Sequence, residues 1–275
     1  MDENFLQGAR GFAESLVARA GEVVREMSGR TRIERKADDS MVTEADRRVE
    51  ALIRGAIADR FPDHAFVGEE MYAGRRGTRP MIEAEYCWVV DPIDGTRNFA
   101  HRFPMVATSI ALMRGDRPVV GVVTEHTTGT VYSAVAGEGA HCDGRAMRVN
   151  NEAISRDTLV AVPSGRHQPI LPIIRDWVDR YVLRNVGSTA LHMAYVAAGA
   201  VDAAFGYECK LWDVAAGALL IDEAGGRCTG LDGRTPLPLD PRGYDGRDMP
   251  FFCASPAVFE ALLASLAAPG GKWKS

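Results

Sequence analysis

Residues 88–99 read WVVDPIDGTRNF, and this stretch limits the folds open to the chain more than any other. Its first part, Trp88-Val89-Val90, is short, aromatic and β-branched, which suits a buried strand. The strand runs directly into two aspartates spaced i and i+3, with a proline, a glycine and a threonine around them. A strand ending in D-x-x-D directs both carboxylates out of the sheet edge. Gly95 and Thr96 then lie where a helix can begin. The free N–H groups of a helix start bind anions such as phosphate, helped by a partial charge of roughly +0.5. Two carboxylates beside an anion site repel the anion unless cations sit between them, and hard oxygen ligands next to phosphate are the set that Mg2+ uses. The alternative is an Asx-type turn in which Asp91 and Asp94 only cap the chain. This stretch alone does not separate the two.

The surrounding pattern predicts layers. Residues 3–28 carry Phe5, Ala9, Phe12, Leu16, Ala20, Val23 and Met27 at helical spacing, and a second helix begins after Thr43 with Val49, Leu52, Ile53 and Ile57 on one stripe. Strands are expected at 88–90, 105–112 and 118–124, continuing through TVYSAVAG. After about residue 150 the order changes to alternating strand and helix: TLVAVPS, a helix over 169–180, YVLRNVG, the helix STALHMAYVAAG, the strand AVDAAFG, and the helix WDVAAGALLIDEAGG closed by Gly225-Gly226. Ser255 is placed to cap a last helix with Pro256 at its first position, and the glycine-rich tail APGGKWKS is expected to fray. Two helices, a strand-rich middle and an alternating second part imply stacked helix and sheet.

A formal charge of −5 argues against a nucleic-acid surface, which needs clustered basic charge, but not against a small anion whose site is reversed by metal ions. The five cysteines are scattered without a C-x-x-C pair, so neither a disulfide framework nor a structural zinc site is expected, and a reducing cytoplasm fits. No apolar run approaches a membrane span, and no signal-peptide core opens the chain. The six histidines have no ligand spacing and read as surface or structural residues.

Further carboxylates bear on the question. Glu69 and Glu70 follow an apolar run in FVGEE, Asp213 opens a helix in LWDVAAG, and Asp46 lies in VTEAD. Each has an ordinary reading: a solvated loop, an N-cap, and the acidic N3 partner of Thr43. The combination GEE (68–70), WVVDPIDGT (88–96), WDVAAG (212–217) and EAGG (223–226), extended by VTEAD (42–46) and GSTALHMAYVAAGAVDA (187–203), resembles the inositol monophosphatase family, the lithium-sensitive, Mg2+-dependent phosphatases that include fructose-1,6-bisphosphatases.

The resemblance implies an α/β layered sandwich, α-β-α-β-α, with an N-terminal α+β half (1–148) and a C-terminal α/β half (149–275) forming one compact catalytic unit. It implies that Glu69, Asp91, Asp94 and the Ile93 carbonyl ligate metal, that Asp213 holds a second ion with Asp91 and Asp94, and that two to three Mg2+ bind per site, with Asp46 or Glu70 near the third. Glu69, Thr96 and Asp46 are the implied catalytic residues, and Gly95, Thr96, Gly187, Ser188 and Glu208 face the substrate. In the family a glutamate seven residues before the second-site aspartate touches the sugar ring; here that position is Gly206, with Glu208 two residues later. Lys36 and Asp39 correspond to a mobile loop whose spacing is one residue short. The implied activity is hydrolysis of inositol 1-phosphate or a related sugar or polyol phosphate, by a cytoplasmic homodimer with no nucleic-acid or membrane partner. The alternatives are histidinol phosphate, a 3′(2′),5′-bisphosphate nucleotide or fructose 1,6-bisphosphate as substrate, or a regulatory binding protein on the same fold.

Overall fold

The computed structural model describes residues 3–30, 33–35, 41–72, 77, 82–164 and 172–266. Lys36, Asp39 and the APGGKWKS tail lie outside them, as do residues 169–171 of the helix expected over 169–180. The chain begins with α1 (Glu3–Met27), a hairpin of β1 (Ile33–Arg35) and β2 (Met41–Thr43), and α2 (Glu44–Arg60). A seven-stranded sheet follows in chain order: β3 (Ala65–Gly68), β4 (Tyr86–Asp94), β5 (Ala107–Arg114), β6 (Arg117–Glu125), β7 (Val131–Val135), β8 (Ala140–Cys142) and β9 (Arg145–Met147). Only β3 and β4 are parallel within it. Two short helices leave its strands, α3 (Glu69–Tyr72) after β3 and α4 (Thr96–His101) after β4.

The second part comprises β10 (Leu159–Ala161), α5 (Pro172–Val178), β11 (Val182–Arg184), α6 (Thr189–Ala197), β12 (Ala203–Gly206), α7 (Leu211–Glu223), β13 (Arg227–Thr229), β14 (Phe251–Ala254) and α8 (Pro256–Leu266). Its strands form a five-stranded sheet in the order β11-β10-β12-β14-β13.

Side-chain alternation assigns the layers. Trp88 and Val90 share a core with α1 and α2, whereas Cys87 and Val89 on the other face share one with α6 and α7. Ala204, Phe251 and Cys253 face that same central core, while Ala203, Phe205, Phe252 and Ala254 pack with α5 and α8. The order is helix, sheet, helix, sheet, helix, the architecture that the sequence predicts. The central helix α7 is buried nearly all round, from Leu211 to Ile221, because it lies between two sheets. Ser255 stands where a cap is expected, but its Oγ is buried without a hydrogen-bond partner among the described residues. The start of α8 is instead held by the Ser255 carbonyl, which accepts from the Val258 and Phe259 N–H groups.

Small residues set how closely the central layer packs. A Cβ at Gly121 on β6 would fall 2.8 Å from the Ala216 carbonyl oxygen, which belongs to the backbone of α7 and cannot rotate away. Gly121→Ala is therefore expected to destabilise the protein by about 1–3 kcal/mol through overpacking. Scanning calorimetry reads this directly, and a wild-type melting curve would show that the helix is free to shift.

Candidate active site

The strand expected to end at Val90 continues to Asp94, and a β-bulge explains why the sequence looked otherwise. Asp91 pairs with Ser109 and Asp94 with Ala107, so three steps on β4 face two on β5. In an unbroken strand, residues i and i+3 point to opposite faces; one extra residue puts them on the same face. Both aspartates thus lie on the side of the central helices, while Ile93 is buried against the opposite core. Pro92, which has no N–H to lose, sits in the bulge, and its carbonyl accepts a bond from Thr108 Oγ1 at 2.7 Å.

Gly95 follows with φ of +90°, and a Cβ there would meet the Met105 carbonyl oxygen at 2.8 Å, so glycine is required twice over. Thr96 begins α4. Its hydroxyl lies 3.0 Å from the Ile93 carbonyl oxygen and 3.2 Å from Asp46 Oδ1. Asp46 is fully buried, and its other oxygen accepts from the Thr43 N–H at 2.8 Å and the Thr43 hydroxyl at 2.5 Å. The ordinary reading of Asp46, an N3 capping partner, therefore holds together with a contact to the site. Asn98, not singled out from sequence, donates from Nδ2 to the carbonyls of Met105 and Val186, each at 2.7 Å. It ties α4 to the loop before α6; an asparagine in the first turn of so short a helix was the available signal.

Asp94 is the acceptor for the start of α6. Its Oδ2 receives the Ser188 hydroxyl at 2.7 Å and the Ala190 N–H. Asp213 arrives from α7, but as its third residue: the cap position belongs to Lys210, whose N–H donates to Asp213 Oδ2 at 2.8 Å. The N-cap alternative for Asp213 is thereby corrected. The Lys210 ammonium is taken up by Asp248 at 2.7 Å and the Gly246 carbonyl at 3.0 Å, so it leaves the site's negative charge in place. Ser109 Oγ donates to the Trp212 carbonyl at 3.2 Å and fixes the first turn of α7 over the bulge.

Charge repulsion and burial dominate here. The Asp91 carboxyl, 2% exposed, is pushed well above the usual range, first by burial and then by Glu69, Asp94 and Asp213. Asp213 is pushed up by burial and by Asp94 and Glu69, and shares a hydrogen bond with Asp91. Burial raises Asp94 to about 6, although its bonds from Ser188 and the α6 backbone pull the other way. Asp91 Oδ1 is buried without a hydrogen-bond partner among the described residues. Among the described residues no three acidic side chains close around one point. The donor set nonetheless fits Mg2+: it is all oxygen, it holds excess negative charge, and it contains a buried carboxylate oxygen that lacks a partner.

A cleft of about 300 Å3 opens above this cluster. Glu69, Asp94, Gly95, Thr96, Gly187, Ser188 and Glu208 line it, whereas Asp91 and Asp213 are not part of the lining. Gly206, at the end of β12, has no room for a side chain: a Cβ would lie 2.5 Å from Cys209 Sγ and 2.7 Å from the Phe251 ring. A glutamate could not be restored there without repacking, and among the described residues the carboxylate that follows on this wall is the exposed Glu208. The buried histidines are structural. His192 Nε2 accepts the Val186 N–H at 3.0 Å, His126 Nε2 lies 2.8 Å from Thr108 Oγ1, and burial lowers both to about 4.

Carboxylates gathered beside a cleft suit divalent cations and, through them, an anionic ligand, which is the chemistry of a metal-dependent phosphatase. A sequence profile of the inositol monophosphatase family matches residues 6–268, and the chain belongs to that family of phosphomonoester hydrolases. It is 38% identical to inositol monophosphatase 2 of Solanum lycopersicum over 82% of this chain and 85% of the relative. With inositol monophosphatase 1 of Bos taurus the identity is 35% over 80% and 82% of the two chains. Among solved structures, an IMPase/NADP phosphatase complexed with Mg2+ and phosphate superposes with a TM-score of 0.83 at 26% identity, covering 98% of this chain and 99% of that one. The Bartonella henselae extragenic suppressor protein SuhB gives 0.81 at 26% identity over 93% and 96%.

The raised carboxyl groups give a pH signature in chelator. A carboxyl whose folded pKa exceeds its unfolded value, about 3.9, stabilises the fold only while protonated. That contribution is full below the unfolded value and is lost as pH rises through about 6 at Asp94 and on through Asp91 and Asp213. The melting temperature in chelator should therefore fall from about pH 4 towards neutrality, and Mg2+ should restore it. Asp213→Asn should flatten the fall while removing most of the activity. A pH-independent melting curve in chelator, or near-wild-type turnover of Asp213→Asn at saturating Mg2+, contradicts this account.

Proposed function

We propose that this protein hydrolyses inositol 1-phosphate or a related polyol phosphate with a water molecule as nucleophile. The observation that carries this reading is a set of mutually repelling carboxylates beside the cleft, Glu69, Asp91, Asp94 and Asp213, one of which, Asp91, has a buried oxygen without a hydrogen-bond partner among the described residues. Mg2+ held by these residues and the Ile93 carbonyl, two to three ions per site, would neutralise the phosphate dianion and make bound water nucleophilic at neutral pH.

The chain's own groups do the rest. The backbone N–H groups at Gly95 and Thr96 offer donors to phosphate oxygens at the start of α4. The single Thr96 hydroxyl proton is directed inward to Asp46 or the Ile93 carbonyl, so its lone pairs face the cleft and accept from the attacking water. Asp46 is then the carboxylate through which Thr96 relays that water's proton, with Glu69 on the same wall. Gly187 and Ser188 border the phosphate, and Glu208 is the acceptor for hydroxyls of the leaving alcohol. The two halves, 1–148 and 149–275, work as one unit; the bonds from Ser188 and Ala190 to Asp94 support this. We also propose a cytoplasmic homodimer; no helix among the described residues is long and apolar enough to cross a membrane.

The test is phosphate release from a panel ranked by kcat/KM: inositol 1-phosphate, glycerol 2-phosphate, histidinol phosphate, a 3′,5′-bisphosphate nucleotide and fructose 1,6-bisphosphate. Activity should vanish in chelator and fall in millimolar-range lithium. With no acceptor at Gly206, glycerol 2-phosphate should compete within about a hundredfold of inositol 1-phosphate, a gap of about 2.7 kcal/mol. A larger preference for one of the last three substrates would replace the polyol assignment. Undiminished turnover in excess chelator would remove the metal. Sedimentation at micromolar concentration tests the dimer.

A further inference from the structure

Glu50 belongs to none of the sets above, yet it touches the site's least supported element. It lies on α2 one turn after Asp46, on the same helical face, and is 6% exposed. Its Oε2 accepts the Glu70 N–H at 2.7 Å, and its carboxylate also accepts from the Met71 backbone. These N–H groups belong to the first turn of α3, where a helix has no internal acceptors to offer. The helix is only four residues long, Glu69–Tyr72, and a single turn is not stable by itself. Gly68 shows that this contact is built in. Its φ is not in the left-handed region, but a Cβ there would fall 2.7 Å from both Glu50 Cδ and the Phe66 ring. The residue before Glu69 is glycine because the Glu50 carboxylate occupies the space a side chain would need.

We propose that Glu50 is a positioning residue: it clamps the first turn of α3 so that Glu69 is presented to the acidic cluster, and thereby sets the protein's affinity for Mg2+. This rests on the reading of Glu69 as a metal ligand. Two buried carboxylates one turn apart on α2 then hold two parts of the site, Asp46 through Thr96 and Glu50 through the backbone beside Glu69.

Mg2+ binding to the full chain is measured by titration calorimetry without substrate, together with phosphate release at varied Mg2+ and substrate. Glu50→Gln, which keeps the shape and one good acceptor, should raise the Mg2+ Kd about threefold, and Glu50→Ala about tenfold or more. Gly68→Ala, which displaces the carboxylate, should behave like Glu50→Ala and carries the test if that variant does not fold. The Mg2+ concentration for half-activation should move in parallel, while the substrate KM at saturating Mg2+ stays within about twofold. Asp202→Asn is the control. That buried carboxylate accepts the Leu159 N–H at 2.7 Å and Asn150 Nδ2 at 2.6 Å, so its loss should lower the melting temperature and leave the Kd alone. If the Glu50 and Gly68 variants lose only stability and bind Mg2+ as wild type does, Glu50 is merely structural and the proposal is overturned. Glu69→Gln separates the two readings. An unchanged Kd in that variant defeats Glu69 as a ligand, whereas weakened binding there with normal binding in the Glu50 and Gly68 variants defeats only the positioning role.

Discussion

Within the acidic cluster, the Asp94 carboxylate ties the two halves of the molecule together. Asp94 ends β4, a nine-residue strand of the first sheet, and receives the start of α6, a helix from the second part of the chain. The bond is favourable in two ways: it satisfies N–H groups that have no partner inside the helix, and it sets a negative group at the helix's positive end. Because α6 lies beside α7, holding one end of α6 also holds the layer that delivers Asp213. The groups that repel one another most strongly are thus brought together by helices whose ends attract them. Burial raises the carboxyl groups, and the helix contacts at Asp94 pull the other way. The fold keeps these charges close at a standing cost, which is what a site designed around divalent cations needs.

Much of this was legible in the residues. The layered architecture follows from the change in apolar periodicity near residue 150, and the pairing of Asp91 with Asp94 is written into DPID. What the sequence hides is geometry that depends on neighbours. The bulge is invisible because Ile93 is as apolar as any strand residue, and only the register against Ser109 and Ala107 reveals the extra step. Lys210 gave no sign of being a cap, since its backbone rather than its side chain is what Asp213 engages. Gly206 looked like a missing acceptor; the ring of Phe251 and the sulfur of Cys209 show that it is also a filled space. Ser255 had the right type and place for a cap, but its hydroxyl makes no such bond.

The helix starts have a second use here. Asp46 and Asp213 each occupy the third position of a helix and accept a backbone N–H three residues earlier. An acid at that position is an ordinary sequence choice for helix stability. In both cases its remaining capacity faces the cluster, so the geometry of the site is fixed by the same bonds that start the helices. This is why the ordinary and functional readings of these residues do not compete.

The bulge on β4 also makes the protein sensitive to chain length in a way that composition does not record. Since Asp91 and Asp94 share a face only because β4 carries one residue more than β5 between them, adding one residue to β5 between Ala107 and Ser109 would restore an unbroken pairing with all the acids still encoded and still three apart. One carboxylate would then be turned into the packed core against α1 and α2. A homologue could conserve every acidic residue of this site and still be inert through a single codon's insertion in the neighbouring strand. Counting the residues of β5 opposite the two aspartates is therefore as informative as identifying the aspartates.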